Sequence, residues 1–101
     1  MPESSPLVRE MGCTPAEFAR WLPGATHHAP IVSTVDGSGM HHRLQVGDGV
    51  VEIDLQPGPP RRIAAITLPV LMVTFRFIDL DDRQRIAFLT HFDHYTRRGG
   101  G

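Results

Sequence analysis

The fold is decided between residues 40 and 56: Met40-His41-His42-Arg43-Leu44-Gln45-Val46-Gly47-Asp48-Gly49-Val50-Val51-Glu52-Ile53-Asp54-Leu55-Gln56. Asp48-Gly49 stands between two alternating segments, 40–47 and 50–56. An Asp-Gly pair in that setting is a strong signal for a two-residue β-hairpin. Closing the turn there pairs Val46 with Val51 and Leu44 with Ile53 on one face. The other face then sets Arg43 opposite Asp54 and Gln45 opposite Glu52. Apolar meets apolar and opposite charges meet, whereas a slip of one residue would turn every side chain to the opposite face.

Further strands flank the hairpin. Upstream, residues 31–35 are β-branched and end in the turn cluster Asp36-Gly37-Ser38-Gly39. Downstream, Pro57-Gly58-Pro59-Pro60 forces a reversal, because proline cannot donate to a ladder. The segment 61–68 is expected to return as a strand, with Ala64, Ile66 and Leu68 inward and Ile63, Ala65 and Thr67 outward. After Pro69, Leu71, Val73, Phe75 and Phe77 alternate with Val70, Met72, Thr74 and Arg76, the period of a half-buried strand.

Two helices frame these strands. Thr14-Pro15-Ala16-Glu17 combines a threonine cap, a proline at the first helical position and a glutamate three residues on, the pattern of a capping box. Phe18, Trp21 and Leu22 fall on one face, and Pro23-Gly24 is expected to stop this helix after about two turns. The second helix opens at Asp81-Asp82-Arg83-Gln84 and buries Ile86, Phe88, Leu89, Phe92 and Tyr95. Arg97, Arg98 and Gly99 suit its end. Residues 1–12 form either an arm or an edge strand at Leu7-Val8, residues 13–98 a single domain, and residues 99–101 a glycine tail.

The expected architecture is therefore α+β: a short N-terminal helix, a meander of four or five antiparallel strands and a C-terminal helix. Both helices have one apolar face and belong on the same side of the sheet, giving two layers. That leaves an open sheet face holding Arg43, Glu52, Asp54 and Arg76, together with Val50, Ile63, Ala65, Val70 and Met72. A cluster of five apolar side chains on a wet face suggests burial against a partner.

Composition sets limits on function. The 101 residues suffice for one core without disulfides, and the single cysteine, Cys13, fits a reducing, cytoplasmic compartment. A net charge of −1 supplies no field to draw nucleic acid or an anionic membrane. All ten basic residues are arginine, so lysine Schiff-base chemistry and a P-loop lysine are excluded. The longest apolar run, 63–73, is interrupted by Thr67 and Pro69 and is too short for a membrane helix, and the first residues lack the pattern of a secretory signal.

The stretches 68–77 (Leu-Pro-Val-Leu-Met-Val-Thr-Phe-Arg-Phe), 88–93 (Phe-Leu-Thr-His-Phe-Asp) and 97–101 (Arg-Arg-Gly-Gly-Gly) resemble a group of short proteobacterial proteins of unknown function. The resemblance covers the last third of the chain and, more loosely, the helix at 14–22; it implies a stand-alone bacterial protein of about this length and carries no known activity with it. The layout is also similar to half of a TATA-binding-protein-type fold, a likeness of architecture that carries no warrant for DNA binding.

Candidate sites are few. His91 and His94 lie i, i+3 on the second helix, a spacing that could converge on a metal, with His27-His28, His41-His42 and Cys13 in reserve. The pair falls on the polar side of its helix, and adjacent histidines in a strand point to opposite faces, so ordinary surface histidines explain them better and neither metal nor cofactor is expected. Cys13 precedes a helix N-terminus, where a thiolate is favoured, but has no local histidine partner. Ser38 lies between glycines without the spacing of a nucleophile elbow. His41, Arg43, Glu52 and Asp54 share a face, which fits either acid–base chemistry or a cross-strand ion-pair ladder. The tail 97–101 resembles the ends of sulfur carriers, although those tails follow a strand and this one follows a helix. The sheet strands carry Phe75 and Phe77 on the core side, so an RNA-stacking platform is not expected. The leading expectation is a non-catalytic accessory domain that binds a protein partner, or a second copy as a homodimer, through Val50, Ile63, Ala65, Val70 and Met72. A glycine-tail carrier and a small-ligand or metal-binding protein are the alternatives.

Overall fold

The computed structural model describes residues 6–98. In chain order the elements are β1 (Leu7–Met11), α1 (Pro15–Ala25), β2 (Ile31–Asp36), β3 (Gly39–Val46), β4 (Gly49–Pro57), β5 (Arg61–Ile63), β6 (Ile66–Leu68), β7 (Leu71–Ile78) and α2 (Asp82–Arg98). Five strands form one antiparallel sheet in the order β1-β7-β4-β3-β2, and both helices lie on one face of it. Residues 7–11 are thus an edge strand.

The central hairpin forms with every side chain on its expected face, but two residues out of the expected register. Leu44 lies opposite Val51, Arg43 opposite Glu52, His41 opposite Asp54, and Val46 opposite Gly49. The loop is Gly47-Asp48, with the positive φ (+59°) on Gly47, its first position. A type II′ turn wants glycine there. Gly49 enters the strand because β7 ends tightly against it: a Cβ would lie 2.6 Å from the carbonyl oxygens of Ile78 and Asp79. A shift of two preserves parity, so the faces survive while the partners change.

Residues 61–68 do not join the sheet. β4 pairs directly with β7, setting Ile53 against Phe75, and β1 fills the other edge of β7. The intervening segment folds back on itself as the β5–β6 hairpin, with Ile63 opposite Ile66, Ala64 at φ +55° and every residue exposed. Prolines 57, 59, 60 and 69 bracket it, and the Gly58 N–H donating to the Val70 carbonyl (2.8 Å) closes its base. Ala64, Ile66 and Leu68 are therefore not core residues.

Helix α1 begins at the expected capping box, with Glu17 N–H donating to Thr14 Oγ1 at 3.1 Å and Thr14 N–H to Glu17 Oε1 at 2.9 Å. It then runs through Pro23-Gly24 instead of stopping there. Proline this close to a C-terminus removes only one bond of the ladder, and the chain beyond it recovers others. Thr26 Oγ1 donates to the Leu22 carbonyl (2.8 Å), and the His28 N–H to that of Pro23 (2.7 Å). His27 and His28 then end the helix in the left-handed region. Helix α2 has the expected aspartate cap, in which Asp81 and Gln84 exchange backbone and side-chain bonds.

The core lies between the helices and the sheet. Phe18, Leu22 and Ala25 from α1 and Phe88 and Phe92 from α2 cover Leu44, Val51, Ile53, Val73 and Phe75. Phe92 meets Phe75 edge-on at 5.2 Å and Phe18 at 5.8 Å, joining both helices to β7 through one phenylalanine. Ile86 and Tyr95, expected inward, are exposed. None of the described helices is long and apolar enough to cross a membrane.

Candidate functional site

The open face of the sheet carries an ion-pair ladder assembled from four strands and one turn. Because β4 sits two residues from its expected register, Asp54 falls beside His41 while Glu52 receives Arg43. Arg76, across β7, also bonds Asp54. His41 Nδ1 lies 2.6 Å from Asp54 Oδ1, and its Nε2 is 3.1 Å from Asp36 Oδ1 and 3.0 Å from Ser38 Oγ. Ser38 in turn donates to Asp36 from both its hydroxyl (2.6 Å) and its backbone N–H (2.8 Å). His41, Arg43, Glu52 and Asp54 do share one face, as the alternation required.

Ser38, His41 and Asp54 are connected in the order of a hydrolase triad, but their protons are placed differently. Hydrogen bonds to Asp54 and then Asp36 raise the pKa of His41 above the usual imidazole value. Bonds from Ser38, then His41, hold Asp36 down at about 2. Burial pushes Asp54 up, yet its bonds from His41 and Arg76 leave it below the ordinary aspartate value. A carboxylate against each nitrogen favours the protonated form of the ring, which works against its acting as a base. The Ser38 hydroxyl directs its proton to Asp36. This arrangement is an electrostatic clasp.

The five apolar interface candidates are not gathered into one patch. Val50 and Met72 point to the open face from opposite ends, opposite Ile78 and Gln56. Val70 precedes β7 and packs near Gly58. Ile63, 56% exposed, and Ala65 leave the sheet on the β5–β6 hairpin, which is tied back by the Arg61–Glu10 ion pair. The exposed apolar residues that sequence reasoning missed are on β2: Val32 is 65% and Val35 72% exposed. The signal was present in the uncharged run 31–35, but only the sheet order shows that this strand is an edge.

His91 and His94 do not converge. His91 turns toward α1, donating from Nε2 to the Gly24 carbonyl (3.0 Å), and its ring stacks on His27 at 3.7 Å, while His94 is exposed. Among the described residues there is no group of three or more side chains able to hold a metal. Cys13 is buried, and burial, followed by the nearby Glu17, pushes its thiol up to about 11, the reverse of an activated thiolate. The glycine tail lies outside the described residues.

Between the end of α1, the first half of α2 and the end of β3 there is a hollow of about 350 Å³. Small side chains, Ala25, Ala29 and Ala87, line it beside Val46 and Phe88, with His27, His91, Gln45 and Gln84 supplying polar atoms.

Comparison with protein-family models, curated proteins and solved structures finds no match. The comparison with half of a TATA-binding-protein-type fold is therefore not confirmed.

Proposed function

We propose that this chain is a non-catalytic, self-associating binding domain, and that two copies join through β2. The observation that carries the reading is the difference between the two sheet edges. β1 carries Arg9, bonded to Asp93 of α2, and Glu10, bonded to Arg61. Charges on an edge strand block pairing with another chain. β2 has no such protection. Residues 31–35 are uncharged and contain no proline, the register with β3 is continuous without a bulge, and residues 32–36 are all exposed.

A second copy is the occupant that β2 fits best. Antiparallel pairing about a two-fold axis through Ser33 continues the sheet and keeps both helix layers on the same side. Val35 then lies opposite the partner's Ile31 on the helix side, and Val32 opposite the partner's Thr34 on the open side. The pairing covers the two most exposed valines of the strand and satisfies its outward backbone groups.

Size-exclusion chromatography with light scattering tests this. The wild-type chain should run with the mass of a dimer at high micromolar concentration. Val35→Lys should give a folded monomer, since that side chain is already mostly exposed. A wild-type monomer, or a dimer indifferent to both Val32→Lys and Val35→Lys, refutes the proposal.

A further inference from the structure

The hollow between α1 and α2 has features that packing alone does not explain. It exists because three alanines line it where larger side chains would have filled the gap between the helices. Its rim includes His27, which with His28 forms two successive non-glycine residues at φ +55° and +58°. Such residues are costly and persist where the surroundings demand them. The strained turn lays the His27 imidazole flat on that of His91, 3.7 Å away and 16° from parallel.

The polar chemistry of the lining is one-sided. Every titratable side chain in it is a base, His27 or His91, and no carboxylate faces the hollow. His91 is oriented by its bond to the Gly24 carbonyl. Gln84 uses its amide oxygen to accept from the Asp81 N–H, leaving its NH2 group as a donor. Two stacked imidazoles repel each other when both are charged, and an anion beside them relieves that repulsion. About 350 Å³ is at the small end of the range for small-molecule sites.

We infer that this hollow binds a small aromatic carboxylate, its ring against Phe88 and the alanines, its carboxylate at the His27–His91 stack and the glutamine amides. The site is separate from β2, so Val35→Lys leaves it intact and the two proposals fail independently.

Titrating the full chain with 2-naphthoate and with its neutral amide, 2-naphthamide, tests the inference by backbone NMR shifts. Naphthoate should bind saturably, with the largest shifts around Ala87, Phe88 and His91, and about tenfold more tightly than the amide. Ala87→Trp should abolish binding by filling the hollow from an exposed position. His27→Gly should raise the urea midpoint, because glycine accepts the left-handed backbone, and should weaken naphthoate about tenfold. Gain of stability with loss of binding separates a ligand-binding residue from a structural one. Absence of saturation, equal affinity for the amide, shifts mapping elsewhere, or binding unaffected by Ala87→Trp would each overturn the inference.

Discussion

His42→Leu should stabilise this protein. His42 points from β3 into the helix-side layer, is only 4% exposed and stacks on Phe18 at 6.0 Å. Its Nδ1 lies 2.7 Å from Ser33 Oγ, whereas its Nε2 is buried without any partner. An orphaned buried polar atom costs about 1–3 kcal/mol, and the Ser33 bond returns about 1 kcal/mol. Leucine has a similar volume, and the exposed Ser33 hydroxyl can turn to water, so the net gain is about 1 kcal/mol. At about 2.1 cal/mol/K of unfolding entropy per residue, 101 residues convert that into a Tm rise of about 5 °C.

The same substitution should change the pH dependence. Burial first, and the neighbouring His41 second, lower the pKa of His42. The unfolded imidazole takes up a proton below about pH 6.5 while the folded one resists it. Stability from His42 is therefore complete above that value and is lost as pH falls toward the folded pKa. His41 acts in the opposite sense. Its raised pKa gives a contribution that is complete below about pH 6.5 and is lost as pH rises through the folded value. Both chains keep His41, so the difference between them isolates most of the His42 effect. Urea denaturation of both from about pH 8 to about pH 5 should show the mutant's advantage growing on the acid side. A mutant less stable at neutral pH, or an advantage independent of pH, would show that Nε2 has a partner and refute the reasoning.

Two further predictions concern the hairpin and the ladder. Gly49→Ala should destabilise by about 2–3 kcal/mol, because its Cβ would meet the carbonyl oxygens of Ile78 and Asp79, while Gly47→Ala should cost about 1 kcal/mol through its positive φ. Equal effects in urea unfolding would contradict the Gly47-Asp48 turn. Asp54→Asn removes the principal carboxylate of His41, so the ring's NMR titration midpoint should fall toward that of a free imidazole; an unchanged midpoint would mean that Asp36 alone holds the proton.

Features set by local chemistry were legible in the sequence. Both capping boxes depend on residues three apart, and the two faces of β3, β4 and β7 follow from a period of two. The register was not legible, because Gly47-Asp48 and Asp48-Gly49 are both acceptable turns and the choice rests on β7 pressing against Gly49. Residues 61–68 alternate well enough for a core strand. They are excluded because β4 and β1 occupy both edges of β7, a fact that local pattern does not contain. Pro23 misled for a similar reason: Ala25, beyond it, is buried in the core, and burial holds the last turn in place. The candidate site was half visible. His41, Arg43, Glu52 and Asp54 were placed on one face, but Asp36, Ser38 and Arg76 join them only once four strands and a turn are assembled.

The ladder also explains why association should occur at the edge of the sheet and not on its open face. Exposed ion pairs add little to stability, so the main consequence of this one is electrostatic. His41, Arg43 and Arg76 stand against Asp36, Glu52 and Asp54, three basic side chains against three acidic ones, each already bonded across strands. Stacking a second copy on this face would remove water from these six ionisable groups without supplying new partners. Pairing through β2 requires no such desolvation. The strand presents backbone donors and acceptors, two valines and no charge before Asp36, so the backbone bonds formed there replace bonds to water while the valines gain cover. The clasp from Asp36 through His41 to Asp54 ties the β2–β3 turn to β4.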